Sequence, residues 1–122
     1  MMTIQALGPN IGAEIENVDV KRLEGEAFRS IYQAWLNYGV TVVRCQDLTI
    51  EDFIAYGRLF GVIVPHPSKS TRHPEYPAVT VLGFNKFNPD GTLNEDIYYR
   101  GAAGFHTDGA YEKTPFKVQK MA

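Results

Sequence analysis

The stretch Tyr38-Gly39-Val40-Thr41-Val42-Val43-Arg44-Cys45-Gln46-Asp47-Leu48-Thr49 decides the fold. Gly39 is a natural C′ residue that stops a helix, because glycine adopts a left-handed backbone at no steric cost. Val40 to Arg44 is β-branched on both faces, which suits a buried strand. Thr49 with Asp52 resembles a capping box, with Asp a shorter stand-in for the usual Glu. The segment therefore reads helix, strand, helix.

Working back, Glu24 to Tyr38 predicts the first helix. Phe28, Ile31, Tyr32, Trp35 and Leu36 recur at helical spacing, one apolar face for packing on a sheet. Glu24 and Glu26 suit its positive end. Before it, Thr3–Leu7 and Ile11–Val20 read as two strands broken by Gly8-Pro9-Asn10, with Ile15, Val18 and Val20 as apolar anchors. Working forward, Phe53, Ile54, Gly57 and Phe60 form the inner face of the second helix, which Gly61 ends. Val62-Ile63-Val64 reads as a short strand and Pro65–Pro77 as a proline-punctuated loop. Ala78–Leu82 reads as a further strand. Asn85–Asn94 is polar, with a turn at Asn88-Pro89-Asp90-Gly91. Ile97-Tyr98-Tyr99 is extended, and the alternation from Phe116 onward begins a strand. The fold class is α+β.

The chain has 122 residues, 44% of them hydrophobic, and a formal net charge of −2, which allows one domain with its own core. With no Lys/Arg cluster, neither nucleic acid nor an anionic membrane is an expected partner. A single cysteine, Cys45, excludes an internal disulfide and a cysteine zinc site. Its apolar neighbours predict a buried, inert thiol. Met1-Met2-Thr3-Ile4-Gln5 lacks a basic or long apolar leader, and no apolar stretch is long enough to span a bilayer, so a cytoplasmic location is expected.

Chemistry concentrates in Tyr98-Tyr99-Arg100-Gly101-Ala102-Ala103-Gly104-Phe105-His106-Thr107-Asp108-Gly109. On extended backbone, residues two apart face the same way, so His106 and Asp108 can present an imidazole and a carboxylate together. That is two-thirds of the facial triad that holds non-haem Fe(II). On spacing alone an Asx-turn aspartate before Gly109 explains Asp108 equally well. A similar pair, His73-Pro74-Glu75, sits between prolines and reads as a solvated loop.

Several patterns occur together and in order: Gly12-Ala13-Glu14-Ile15 with Val18-Asp19-Val20, the Tyr38–Thr49 stretch, Phe60-Gly61, His66-Pro67, and Phe105-His106-Thr107-Asp108. Over residues 4 to 116 this resembles the N-terminal half of the taurine dioxygenase / 2,4-dichlorophenoxyacetate dioxygenase (TauD/TfdA-like) family of Fe(II)- and 2-oxoglutarate-dependent oxygenases. The resemblance implies a partial double-stranded β-helix (jelly roll), with helices on its outer face and the barrel's second half missing. Residues 1–122 would then be the N-terminal portion of a single dioxygenase domain. It further implies His106 and Asp108 as two metal ligands, and His66 as a substrate-binding residue. The cofactors implied are Fe(II) and the co-substrate 2-oxoglutarate. The partners are O2 and a small organic substrate, with an anionic one fitting the family, and homo-oligomers are common in it. Hydroxylation would yield succinate and CO2. Phe105 stands where the family usually has Trp.

The family's third iron ligand is a distal histidine, followed by an arginine for 2-oxoglutarate. Here no histidine follows His106 and no arginine follows Arg100. Negligible turnover is therefore expected of this chain alone. Two other readings stay open: a non-enzymatic α+β module that self-associates or binds a partner through exposed sheet edges, and a metal enzyme using His66, His106 and Asp108.

Overall fold

The computed structural model describes residues 1–82, 90, 92 and 104–122, and divides into two compact units, residues 1–62 and 63–122. The first unit holds a three-stranded sheet in the order β1-β2-β3, formed by β1 (Thr3–Ala6), β2 (Ala13–Glu16) and β3 (Thr41–Val43). β1 runs antiparallel to β2, with Ile4 opposite Ile15, and β3 runs parallel to β2, with Ile15 opposite Val43. Parallel neighbours need a crossover, which α1 (Gly25–Tyr38) supplies.

β2 alternates as a central strand should. Ala13 and Ile15 are fully buried, while Glu14 turns out to pair with Arg44. α1 lays Ile31 and Ala34 on the sheet. Its end is fixed by backbone bonds. Gly39, at φ +72°, donates its N–H to Trp35 O at 2.8 Å, and Gly12 N–H reaches Tyr38 O at 2.9 Å. Ala13 N–H then bonds Val40 O, also at 2.9 Å.

α2 (Ile50–Arg58) starts at the expected capping box. Thr49 N–H donates to Asp52 Oδ2 at 3.0 Å, and Asp52 N–H to Thr49 Oγ1 at 3.1 Å. Those bonds hold the Asp52 carboxyl below its ordinary range. Just past α2, Phe60 is almost wholly buried and meets four rings: Phe28 at 5.1 Å, Tyr56 at 5.5 Å, Tyr32 at 5.9 Å and Trp35 at 6.1 Å between centroids. These spacings and tilts are those of favourable aromatic pairs. The aromatic face read from α1 is thus packed as expected at Phe28, Tyr32 and Trp35. Leu36 instead lies exposed, because the buried stripe runs through Ile31 and Ala34.

Three other expectations change. Cys45 is exposed rather than buried. β3 ends at Val43, and the chain turns at Cys45 with φ +54°, which carries its side chain off the sheet. Gln46, read as part of a simple turn, holds that bend. Its amide donates to Val18 O and Arg44 O, both at 2.7 Å, and accepts from Val20 N–H at 3.0 Å. The second strand stops at Glu16 because Asn17 takes φ +58°.

Val62-Ile63-Val64, Ala78–Leu82 and the run from Phe116 form no strands among the described residues. Ala78–Leu82 contributes one isolated bridge, Thr80 to Arg72, flanked by His73 N–H to Val79 O at 2.7 Å and Val81 N–H to Thr71 O at 3.0 Å. A strand needs a neighbour to complete its ladder, and a single bridge with two flanking bonds does not extend into one. The expectations for Asn85–Asn94, apart from Asp90 and Thr92, and for Ile97-Tyr98-Tyr99 lie outside the described residues. Thr92 N–H and its hydroxyl both donate to Asp90 Oδ1, at 2.9 and 2.6 Å, as a turn there requires.

Phe60→Ala is expected to cost about 3–5 kcal/mol in urea unfolding, whereas fully exposed Phe105→Ala should change stability by under about 0.5 kcal/mol. Equal effects would rule out Phe60 as the hub. Gln46→Leu keeps the length but strands the Val20 N–H, and is expected to cost about 1–3 kcal/mol in the same assay.

Candidate metal centre

His106 lies in an irregular stretch of the second unit and Asp108 opens the turn that follows it, and their side chains meet. His106 Nε2 is 3.1 Å from Asp108 Oδ1. The other ring nitrogen settles the electrostatics: Nδ1 lies 2.8 Å from Gly104 O. A carbonyl only accepts, so Nδ1 carries a hydrogen. In the neutral ring Nε2 then has a lone pair, and it faces a carboxylate that also only accepts. Two acceptors at this distance require a positive charge between them, either a proton or a cation.

The Gly104 hydrogen bond, then the Asp108 charge, raise His106 above the ordinary imidazole value of 6.5. Both side chains are about half exposed, which weakens the pair by solvent screening.

The same geometry suits a metal ion. Two donors at right angles, with bonds of about 2.1 Å, lie about 3.0 Å apart. The Gly104 carbonyl is the kind of outer partner that fixes a ligand histidine's tautomer. This donor pair therefore fits two positions of an Fe(II) site. Among the described residues no group of three His, Cys, Asp or Glu side chains converges, so the set His66, His106 and Asp108 does not assemble.

His66 lies in the same unit. Its Nδ1 accepts from Ser68 N–H at 3.0 Å and lies 2.9 Å from Thr71 Oγ1. Acceptance from a backbone N–H leaves the ring proton on Nε2, which makes His66 a neutral hydrogen-bond donor at its outer edge. Arg72 Nε–H bonds the His66 carbonyl, and the Tyr111 ring lies 6.4 Å from the imidazole. His73 repeats the device: its Nδ1 accepts from Glu75 N–H at 3.1 Å and Tyr76 N–H at 3.2 Å. Both His-Pro pairs thus cap the turn that follows them. Thr71 and Tyr111 were not singled out from the sequence, since loop neighbours leave no spacing signal. In the first unit, a cleft of about 230 Å³ lined by Glu16, Asn17, Val18, Arg44 and Cys45 contains none of the candidate site residues.

Sign matters for the pH dependence. A raised imidazole pKa stabilises the fold fully below the ordinary value, and the effect is lost as pH rises through the raised one. NMR titration should place the His106 midpoint above 6.5, and Asp108→Asn should lower it. An unchanged midpoint in that variant would refute the coupling.

Comparison with known proteins follows the same line. The profile of the taurine catabolism dioxygenase TauD, TfdA family matches residues 3–121. The (S)-phenoxypropionate/alpha-ketoglutarate-dioxygenase of Sphingobium herbicidovorans is 28% identical over 115 residues, 88% of this chain and 35% of that protein. A Burkholderia xenovorans structure, assigned as an alpha-ketoglutarate-dependent taurine dioxygenase, aligns with TM-score 0.58 and 32% identity over 63% of this chain and 28% of its own. A taurine dioxygenase structure from the same organism aligns with TM-score 0.55 and 29% identity, over 62% of this chain and 28% of its own. The chain thus spans about a third of the length of the curated relative. No helix of the described residues is long and apolar enough to cross a membrane. The family resemblance read from the ordered motifs holds over nearly the whole sequence, and the chain belongs to the taurine catabolism dioxygenase TauD, TfdA family.

Proposed function

We propose that this chain is the N-terminal part of an Fe(II)- and 2-oxoglutarate-dependent dioxygenase that hydroxylates a small organic anion. The observation that carries the reading is the His106–Asp108 pair, two acceptors 3.1 Å apart with Gly104 fixing the tautomer. Family membership supports the chemistry, and relatives named for phenoxypropionate and taurine support an anionic substrate. When bound, the iron and 2-oxoglutarate supply the oxidising power, with succinate and CO2 as co-products.

This chain's residues would do three things. His106 Nε2 and Asp108 Oδ1 would hold the ion, replacing the proton they share. Gly104 O would keep the imidazole turned, so that metal binding needs no ring flip. His66 Nε2–H would donate to an oxygen of the substrate anion, a role that its tautomer, set by the Ser68 N–H, suits. The sheet and helices would form part of a jelly roll completed by residues beyond this span of the relatives.

Among the described residues no third side chain converges on this donor pair, and two donors alone hold an ion weakly. The 122-residue chain should therefore form no succinate from 2-oxoglutarate above a His106→Ala control. It should still bind Mn(II) or Co(II) weakly, and lose that binding in both His106→Ala and Asp108→Ala. Metal affinity unchanged in these variants would sink the assignment. In a protein carrying the remainder of the domain, the same two substitutions should abolish succinate formation.

A further inference from the structure

The turn after Asp108 is built around a glycine. Gly109 has φ +73° and is buried, and a Cβ placed there would sit 2.6 Å from the Phe116 ring. No other residue allows both the left-handed backbone and the ring lying on it. Gly109 O accepts from Glu112 N–H at 2.9 Å, which closes a turn with Tyr111 inside it. Tyr111 meets Phe116 edge to face, 6.3 Å between centroids at 87°, and meets His66 at 6.4 Å and 69°. Phe116, Tyr111 and His66 therefore form a continuous row of rings, which begins at the turn carrying Asp108 and ends at the His66 imidazole. His66 is itself held from behind by Ser68 and Thr71.

Each joint in this row is stiff. Tyr111 has two side-chain torsions, Gly109 admits one arrangement of Phe116, and Thr114-Pro115 restricts the chain entering Phe116. Edge-to-face contacts favour a definite ring geometry. We propose that Tyr111 is a positioning residue: set against both Phe116 and His66, it fixes the span between the His106–Asp108 donor pair and the His66 Nε2–H. The inference rests on the functional reading above and deepens it. A substrate gripped by its anion at His66 presents to the metal the carbon that this span dictates. Tyr111 then selects substrates by the distance from anionic group to reacting C–H bond, since reaction requires a near-attack geometry.

The test is Mn(II) relaxation of the histidine imidazole signals in the intact chain, assigned with single His→Gln variants. In the parent, Mn(II) should broaden His106 and also His66. Tyr111→Ala should leave the His106 broadening intact and abolish that of His66, and Tyr111→Phe should restore it. Tyr111 is 58% exposed on a turn, so its truncation removes no core side chain. Should Tyr111→Ala nevertheless disturb the fold, Phe116→Leu should reduce His66 broadening in the same selective way. His66 broadened equally in the parent and in Tyr111→Ala overturns the inference while leaving the metal reading standing. No broadening of His106 in the parent overturns the metal reading, and the inference with it.

Discussion

Phe60 sits where the chain leaves its second helix, and four rings from two helices close around it. α1 buries Ile31 and Ala34, and on the same apolar side Phe28, Tyr32 and Trp35 meet Phe60. α2, at nine residues, is too short to hold itself in water. It is placed by its capping box at one end and by Phe60 at the other. The first unit therefore joins the sheet, two helices and the aromatic cluster, and β2 is central because both its neighbours bond to it.

The candidate centre follows a different logic. Neither His106 nor Asp108 is buried, and the geometry comes from backbone groups. A glycine carbonyl orients His106, backbone N–H groups orient His66, and a left-handed glycine lets Phe116 lie against the turn that bears Asp108. Small local bonds hold chemically potent side chains in an open segment. This is how loops commonly carry function on a scaffold that supplies the stability.

Sequence reading succeeded where one periodicity or one cap decided the outcome. Gly39, the Thr49–Asp52 box, the ring face of α1 and the closeness of His106 to Asp108 all depend on neighbours within four residues, and all were legible. It failed where the deciding partner was distant in sequence. Cys45 looked buried by its apolar neighbours, yet the Gln46 amide, bonded to Val18 and Val20, goes with a backbone bend that turns it outward. The strands expected at Val62–Val64, Ala78–Leu82 and Phe116 have the right composition, but composition does not supply a neighbouring strand. Tyr111 was invisible for another reason: an aromatic in a turn has many uses.

The two bonds from Gly12 and Ala13 to Tyr38 and Val40 make α1 a ruler. Its start is set by the turn after β2 and its end is tied to the beginning of that strand. One inserted residue would rotate everything beyond it by about 100° and lift Ile31 or Ala34 off the sheet. Such a segment tolerates a change of residue type more readily than a change of length, whereas no helical phase has to be kept at the hairpin tip, Gly8–Ile11.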